Sequence, residues 1–237
     1  MAGPQWSDLI YALVSVTFRL INPNVISFDS LIGLLSRELV SNRVIALSTD
    51  TVFGLLGRAS SCDALSAIAA MKGREASVAM PVLIGEASQL DLFVPAGTLG
   101  KPAVARVFEV FWPGPLTVVL PLKSGVLCDS FFPAGTVGVR FPDDLRLQTL
   151  ALRVGPLVAT SANKHGKPTS RTGRDVVEEL AKDGSAVGLG IVVDEDSRSD
   201  LASTVIEMTE TGYRLIRVGA ISAAAIAKAF GNGVQQE

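Results

Sequence analysis

Between residues 44 and 85 the chain places hydroxyls, a carboxylate and cations at the ends of apolar runs. Val44-Ile45-Ala46-Leu47 is compact and partly β-branched, which predicts a short buried strand. It empties into Ser48-Thr49-Asp50-Thr51-Val52-Phe53-Gly54-Leu55, where polar groups crowd beside an aromatic ring. Ser60, Ser61 or Asp63 can cap a helix that carries Leu65, Ile68 and Met71 at helical spacing, and Gly73 is placed to end it. Lys72 and Arg74 flank that glycine, and Pro81-Val82-Leu83-Ile84 predicts the next strand. Strand, polar loop, helix, cationic turn, strand reads as a βαβ unit, whose strand-end loops commonly carry ligand groups. A small-molecule site follows from that order. The competing reading makes Lys72 and Arg74 solvated cations at a helix C-terminus; in either case both are expected at the surface.

The pattern returns later in the chain. Pro156-Leu157-Val158-Ala159 predicts a buried strand that runs into Thr160-Ser161-Ala162-Asn163-Lys164-His165-Gly166-Lys167, and Thr172-Gly173-Arg174 opens a helix through residue 180. Thr136-Val137-Gly138-Val139-Arg140-Phe141 predicts a strand with a guanidinium near its end. Ser161 and Asn163 can equally satisfy a turn through bonds to backbone, and His165 reads as a surface loop residue.

The elements that must position these groups alternate early and cluster as strands late. Residues 29–40 carry Leu31, Ile32, Leu35 and Leu39 behind the capping candidates Ser27 and Asp29, which predicts an amphipathic helix. A short helix over 87–93 and a second over 101–112 follow, the latter stopped by Pro113-Gly114-Pro115. Trp112 is expected to pack in the core. Strands are predicted over 116–120, 190–194, 203–207 and 213–217, and helices over 145–153 and 222–230. The fold class is therefore α/β, with a twisted mixed parallel and antiparallel sheet and flanking helices. Residues 1–27 read as an N-terminal extension, 28–230 as the domain and 231–237 as a polar tail. The apolar run 9–21 reads as an added helix or strand or a loosely ordered leader; it is too short to span a bilayer and lacks a secretory cleavage pattern.

Composition narrows the function classes. With 48% hydrophobic residues and a mean hydropathy of +0.40, a large core is expected and disorder is excluded. A net charge of −2 gives no global attraction to nucleic acid, although a local basic concavity is compatible with it. Cys62 and Cys128 form no CxxC and His165 is the single histidine, which leaves no structural zinc site and no histidine-dependent triad. Read as separate thiols, the cysteines fit a reducing, cytoplasmic compartment.

Taken together, Ser-Thr-Asp-Thr-Val-Phe-Gly-Leu, Lys-Gly-Arg, Trp-Pro-Gly-Pro-Leu-Thr, Val-Gly-Val-Arg-Phe-Pro, Thr-Ser-Ala-Asn, Ser-Thr-Val-Ile-Glu and Ile-Arg-Val-Gly resemble, in order and spacing, the signatures of the YrdC family of threonylcarbamoyl-AMP synthases. The resemblance covers residues 28–230 and implies a YrdC-like fold around a concave, positively lined cavity. It implies a nucleotidyltransferase that joins L-threonine, bicarbonate and ATP into threonylcarbamoyl-adenylate and pyrophosphate for tRNA modification. Thr51, Arg140, the Ala159 backbone and Ser203 are thereby expected around threonine. Lys72, Arg74, Thr136, Ser161, Thr169 and Arg217 are expected on the ATP side, with Lys72 and Arg74 stabilising charge and no residue acting as nucleophile. Thr49, Asp50 and Asn163 are expected to support the loops. Magnesium is expected with the ATP, without a dedicated protein site. Partners implied are other proteins of tRNA threonylcarbamoylation and a weak RNA contact, with no membrane.

Several positions depart from that pattern. Ser48, Phe53, Glu75 and Val218 stand where proline, tyrosine, proline and proline are usual, and Val78 stands where a lysine or asparagine commonly reaches ATP. The chain resembles the short form that lacks an extra C-terminal domain. Two alternatives are a non-catalytic RNA-binding member and a relative that uses carbamoyl phosphate. The acidic charge balance argues against the first and the retained threonine-side residues against the second.

Overall fold

The computed structural model describes residues 18–73, 80–132, 134–164, 166–181, 184–209 and 212–230. Arg74, Glu75, Val78 and His165, singled out above, lie outside them. The described strands are β1 (Arg19–Ile21), β2 (Val44–Leu47), β3 (Gly54–Arg58), β4 (Val82–Leu83), β5 (Leu116–Pro121), β6 (Thr136–Arg140), β7 (Leu157–Ser161), β8 (Leu189–Val193), β9 (Thr204–Met208) and β10 (Tyr213–Arg217). They form one sheet in the order β1-β8-β2-β3-β7-β4-β6-β5-β9-β10. Parallel pairs (β1/β8, β2/β8, β4/β6, β5/β9) mix with antiparallel ones, as the sequence predicts. The helices are α1 (Phe28–Val40), α2 (Cys62–Lys72), α3 (Pro102–Val110), α4 (Leu145–Val154), α5 (Gly173–Ala181) and α6 (Ala223–Phe230).

The sheet is covered on both faces, which explains why its inner strands are continuous apolar runs rather than alternating ones. Side chains of β2 alternate between the faces. Val44 and Ala46 join the core with Leu65 and Ile68 of α2 and Leu180 of α5. Ile45 and Leu47 join the other with Leu35 and Leu39 of α1 and Leu147 and Leu150 of α4. Ser27 caps α1 by accepting from Ser30 N, Ser61 caps α2 by accepting from Ala64 N, and Gly73 at φ 59° closes α2 in the left-handed region. Trp112 is buried, with its indole N–H bonded to Leu116 O at 2.7 Å.

The βαβ unit needs correction. β2 is followed by the antiparallel β3, so β2 and β4 are not the parallel pair of such a unit. β3 and β4 run parallel to each other with β7 antiparallel between them, and α2 is the crossover of that split pair. β3 is invisible to pattern reading because Gly54-Leu55-Leu56-Gly57 is glycine-bounded and carries no β-branched residue. Its glycines serve close approach: a Cβ on Gly57 would lie 2.9 Å from Ala64 Cβ, so α2 can rest on β3 only without one.

Cys62 and Cys128, read above as separate thiols, are joined as a disulfide with Cα atoms 5.6 Å apart. A cysteine pair joined in this way gives no support to a reducing compartment. β1 lies within the stretch read as an N-terminal extension and pairs with β8 at the sheet edge. Among the described residues no helix is long and apolar enough to cross a membrane.

Gly57→Ala is expected to lower the unfolding free energy by about 1–3 kcal/mol through overpacking against α2. Combined with Ala64→Gly it should cost less than the sum of the single changes, because the two sites share one contact. Urea unfolding of the three variants reads both effects, and an unshifted midpoint for Gly57→Ala contradicts the close packing.

Candidate active site

Loops and strand ends converge on a cavity of about 310 Å³. Thr49 and Thr51 reach it from the β2–β3 loop, Lys72 from the end of α2, Arg140 from the end of β6, Ala159 and Ser161 from β7, Asn163 from the loop beyond, Ser203 from the start of β9 and Arg217 from the end of β10. Pro81, Leu83 and Val52 supply an apolar wall.

Arg140 is buried in the cavity lining, only 5% exposed. Its Nη1 donates to Thr51 Oγ1 at 2.8 Å and lies 3.2 Å from Asp50 Oδ1. That second contact is an ion pair without hydrogen-bond geometry, so Asp50 Oδ1 receives no hydrogen bond there. Asp50 Oδ2 accepts from Asp143 N at 3.1 Å, tying the β2–β3 loop to the turn before α4. Burial pushes the Arg140 guanidinium below its ordinary pKa, Asp50 and Asp144 pull it back up, and the neighbouring Arg217 adds to the depression. A cation desolvated beside another cation, with only part of its fork engaged, favours an anion in the cavity. Thr51 is held in turn: its N–H donates to Thr49 Oγ1 at 3.0 Å, and Thr49 Oγ1 donates to Val52 O at 2.8 Å.

Lys72 differs from expectation. It is 4% exposed, not a surface cation, and its ammonium donates to Ser161 O at 2.6 Å and Asn163 O at 2.7 Å. It therefore shapes the β7 exit loop from beneath. The partners lie 89 and 91 residues away along the chain, beyond the reach of any local pattern. Asn163 Nδ2 adds a bond to Lys164 O at 3.1 Å, so this amide supports the loop as well as lining the cavity.

Arg217 donates through Nη2 to Ser203 O at 2.9 Å and reaches Ser203 Oγ at 3.3 Å. Partial burial lowers the Arg217 pKa. Thr204 fixes the chain beside Ser203: its Oγ1 accepts from Gly219 N at 2.9 Å and Ile221 N at 3.0 Å and donates to Ile221 O. A Cβ on Gly219 would come 2.2 Å from Ala202 O, so glycine is required where this turn packs on the cavity wall.

Other expected residues stand elsewhere. Asp50 lies behind Arg140 and does not line the cavity. Thr136 pairs with Pro121 at the end of β6 away from Arg140. Thr169 lines a separate depression of about 210 Å³ with Arg171 and Asp200. Among the described residues no cluster of three acidic, histidine or cysteine side chains could hold a metal ion.

One supporting group escaped sequence reading. Ser48 N donates to Glu195 Oε1 at 2.9 Å, Arg146 Nη1 donates to both Glu195 oxygens at 2.8 Å, and Arg146 Nη2 donates to Ser48 O at 3.0 Å. The three residues close a ring around the first peptide of the β2–β3 loop. Asp144, which also caps α4, pairs with Arg146 and Arg198. Burial opposes the Arg146 charge, but Asp144 and Glu195 outweigh it and raise its pKa. The ring depends on Ser48 having an N–H, which a proline there would lack. Nothing local marks Glu195 or Arg146, since 49 residues separate them.

Lys72→Met is expected to lower stability by about 1–3 kcal/mol, because two partly buried carbonyls lose their shared donor. Denaturant unfolding measures this, and a variant as stable as the parent would show that Lys72 does not brace the loop.

The site and fold have known counterparts. A profile of the Sua5/YciO/YrdC family, described as "Telomere recombination", matches residues 37–219. The threonylcarbamoyl-AMP synthase of Bacillus subtilis is 35% identical over 204 residues, covering 82% of this chain and 55% of that protein. The threonylcarbamoyl-AMP synthase of Pyrococcus abyssi is 33% identical over 191 residues, covering 80% of this chain and 54% of that one. The chain thus spans about half the length of these two relatives. The crystal structure of P. abyssi Sua5 complexed with L-threonine superposes with a TM-score of 0.78 at 28% identity, over 93% of this chain and 62% of that one. E. coli YciO shares the fold, with a TM-score of 0.73 at 18% identity over 89% of this chain and 98% of its own. With the family profile spanning most of the sheet and the loops that line its cavity, this chain belongs to the Sua5/YciO/YrdC family.

Proposed function

We propose that this chain makes L-threonylcarbamoyl-adenylate and pyrophosphate from L-threonine, bicarbonate and ATP. The observation that carries the reading is the buried Arg140–Thr51 corner in one cavity with Ser203, in a chain whose relatives are named threonylcarbamoyl-AMP synthases and whose P. abyssi structural counterpart was crystallised with L-threonine. In this reading the amino-acid carboxylate pairs with the free part of the Arg140 fork, and the Ala159 backbone and Ser203 complete the recognition. Threonine's amine attacks the bicarbonate carbon, water leaves, and a carbamate forms. A carbamate oxygen then attacks the α-phosphorus in line as the phosphoanhydride bond breaks and pyrophosphate departs. No protein nucleophile takes part. Arg217 and Arg74 offset phosphate charge, and Lys72 holds the Ser161–Asn163 edge against which the nucleotide lies.

Magnesium would accompany the nucleotide, and no step is assigned to it. Thr136 and Thr169 lie outside the main cavity, and their place on the ATP side requires a nucleotide that extends beyond it. The product is an activated carbamoyl donor, which other proteins of tRNA threonylcarbamoylation would transfer.

Pyrophosphate release should require L-threonine, bicarbonate and ATP together. Release without threonine, or with carbamoyl phosphate replacing bicarbonate, would overturn the assignment. Arg140→Lys keeps the charge but loses the planar fork. It is expected to weaken L-threonine by about 10-fold, corresponding to about 1.4 kcal/mol, and ATP by less. Isothermal titration of both ligands checks this; equal losses would remove Arg140 from the threonine site.

A further inference from the structure

Thr117 lies on β5, between β6 and β9 in the sheet, 3% exposed and outside the cavity lining. Its Oγ1 stands 2.8 Å from Ser203 Oγ, and among the described residues this is the only hydrogen bond its hydroxyl makes. Ser203 does line the cavity, and its Oγ is also approached by Arg217 Nη2 at 3.3 Å. The guanidinium can only donate, so it occupies one acceptor position of the Ser203 hydroxyl.

Two proton arrangements satisfy the Thr117–Ser203 distance, and they differ in cost. If Ser203 gives its proton to Thr117, the Thr117 proton has no acceptor inside the fold, and a buried unmet donor is costly. If Thr117 gives its proton to Ser203, the Thr117 donor is satisfied and Ser203 accepts from both neighbours. The Ser203 proton then has nowhere to point but the cavity. Isolated, a serine hydroxyl is free to rotate and can serve as donor or acceptor. Here the buried threonine behind it selects one role.

We infer that Thr117 is a positioning residue that fixes Ser203 as a hydrogen-bond donor toward an oxygen of the amino-acid substrate, its carboxylate or the carbamate formed from its amine. The inference rests on the proposed threonine site and adds to it a direction of hydrogen bonding. A donor at Ser203 in the same cavity as the Arg140 fork makes that site complementary to oxygen anions at two points. The hydroxyl pair is buried on one side and faces the ligand on the other, so the effect travels through one hydrogen bond and needs no backbone movement.

The test is L-threonine binding measured by isothermal titration on the full chain. Thr117→Val retains the side-chain shape and removes only the hydroxyl; it is expected to weaken L-threonine about 10-fold while ATP affinity stays within about 3-fold of the parent. Thr117→Ser restores the hydroxyl and should bring threonine affinity back to within about 3-fold. In a Ser203→Ala background, Thr117→Val should add less than about 2-fold, because its partner is gone. Should Thr117→Val melt below the assay temperature, Thr117→Ala against Thr117→Ser gives the same comparison. Unchanged threonine affinity in Thr117→Val, no rescue by serine, or a full additional loss in the Ser203→Ala background would each overturn the relay while leaving the threonine site standing. A parent protein that binds no L-threonine would overturn the site reading, and the relay with it.

Discussion

The architecture answers one constraint: a guanidinium, Arg140, is buried at the end of a central strand and must be kept charged there. Desolvation alone disfavours such a cation, and Arg217 makes matters worse. Asp50 and Asp144 provide the opposing field; Asp144 follows four residues after Arg140, whereas Asp50 is brought in from the β2–β3 loop. Their placement depends on the β2–β3 loop, on the turn before α4 and on the exit of β8. The mixed sheet brings these segments together because β6, β4, β7, β3 and β2 are consecutive neighbours across it.

The polar loops around the cavity are held by buried bonds rather than by local turn chemistry. Thr49 and Thr51 brace one another, the Ser48–Glu195–Arg146 ring grips the loop at its root, and Lys72 pins the exit of β7 through two carbonyls. Each arrangement satisfies donors and acceptors that would be costly if left buried and unmet. The resulting walls present cations and hydroxyls that are already positioned, as needed for a reaction in which the protein orients two substrates and offsets charge.

Much of this was legible from the chain alone. The helices α1 and α2 follow from apolar spacing and from capping candidates that the structure retains at Ser27 and Ser61. Arg140 and Ser161 stand at or just beyond an apolar strand, where the pattern breaks, whereas Thr51 and Ser203 were singled out by the family resemblance; all four line the cavity. What escaped was set by tertiary contact. β3 was hidden by its glycines, of which Gly57 admits α2, and the burial of Lys72 depends on carbonyls distant in the chain. The disulfide between Cys62 and Cys128 likewise spans 66 residues and has no local signature. Glu195 and Arg146 resemble ordinary surface charges until the loop they clamp is seen between them.

The central claim is that the Arg140 corner receives the amino acid, with Thr51 and Ser203 at its flanks. A crystal structure of this chain grown with L-threonine tests it most directly. The account predicts the threonine carboxylate within hydrogen-bond distance of Arg140, with Ser203 Oγ near a ligand oxygen. Threonine bound elsewhere, or seated in this cavity with its carboxylate turned away from Arg140, would contradict it.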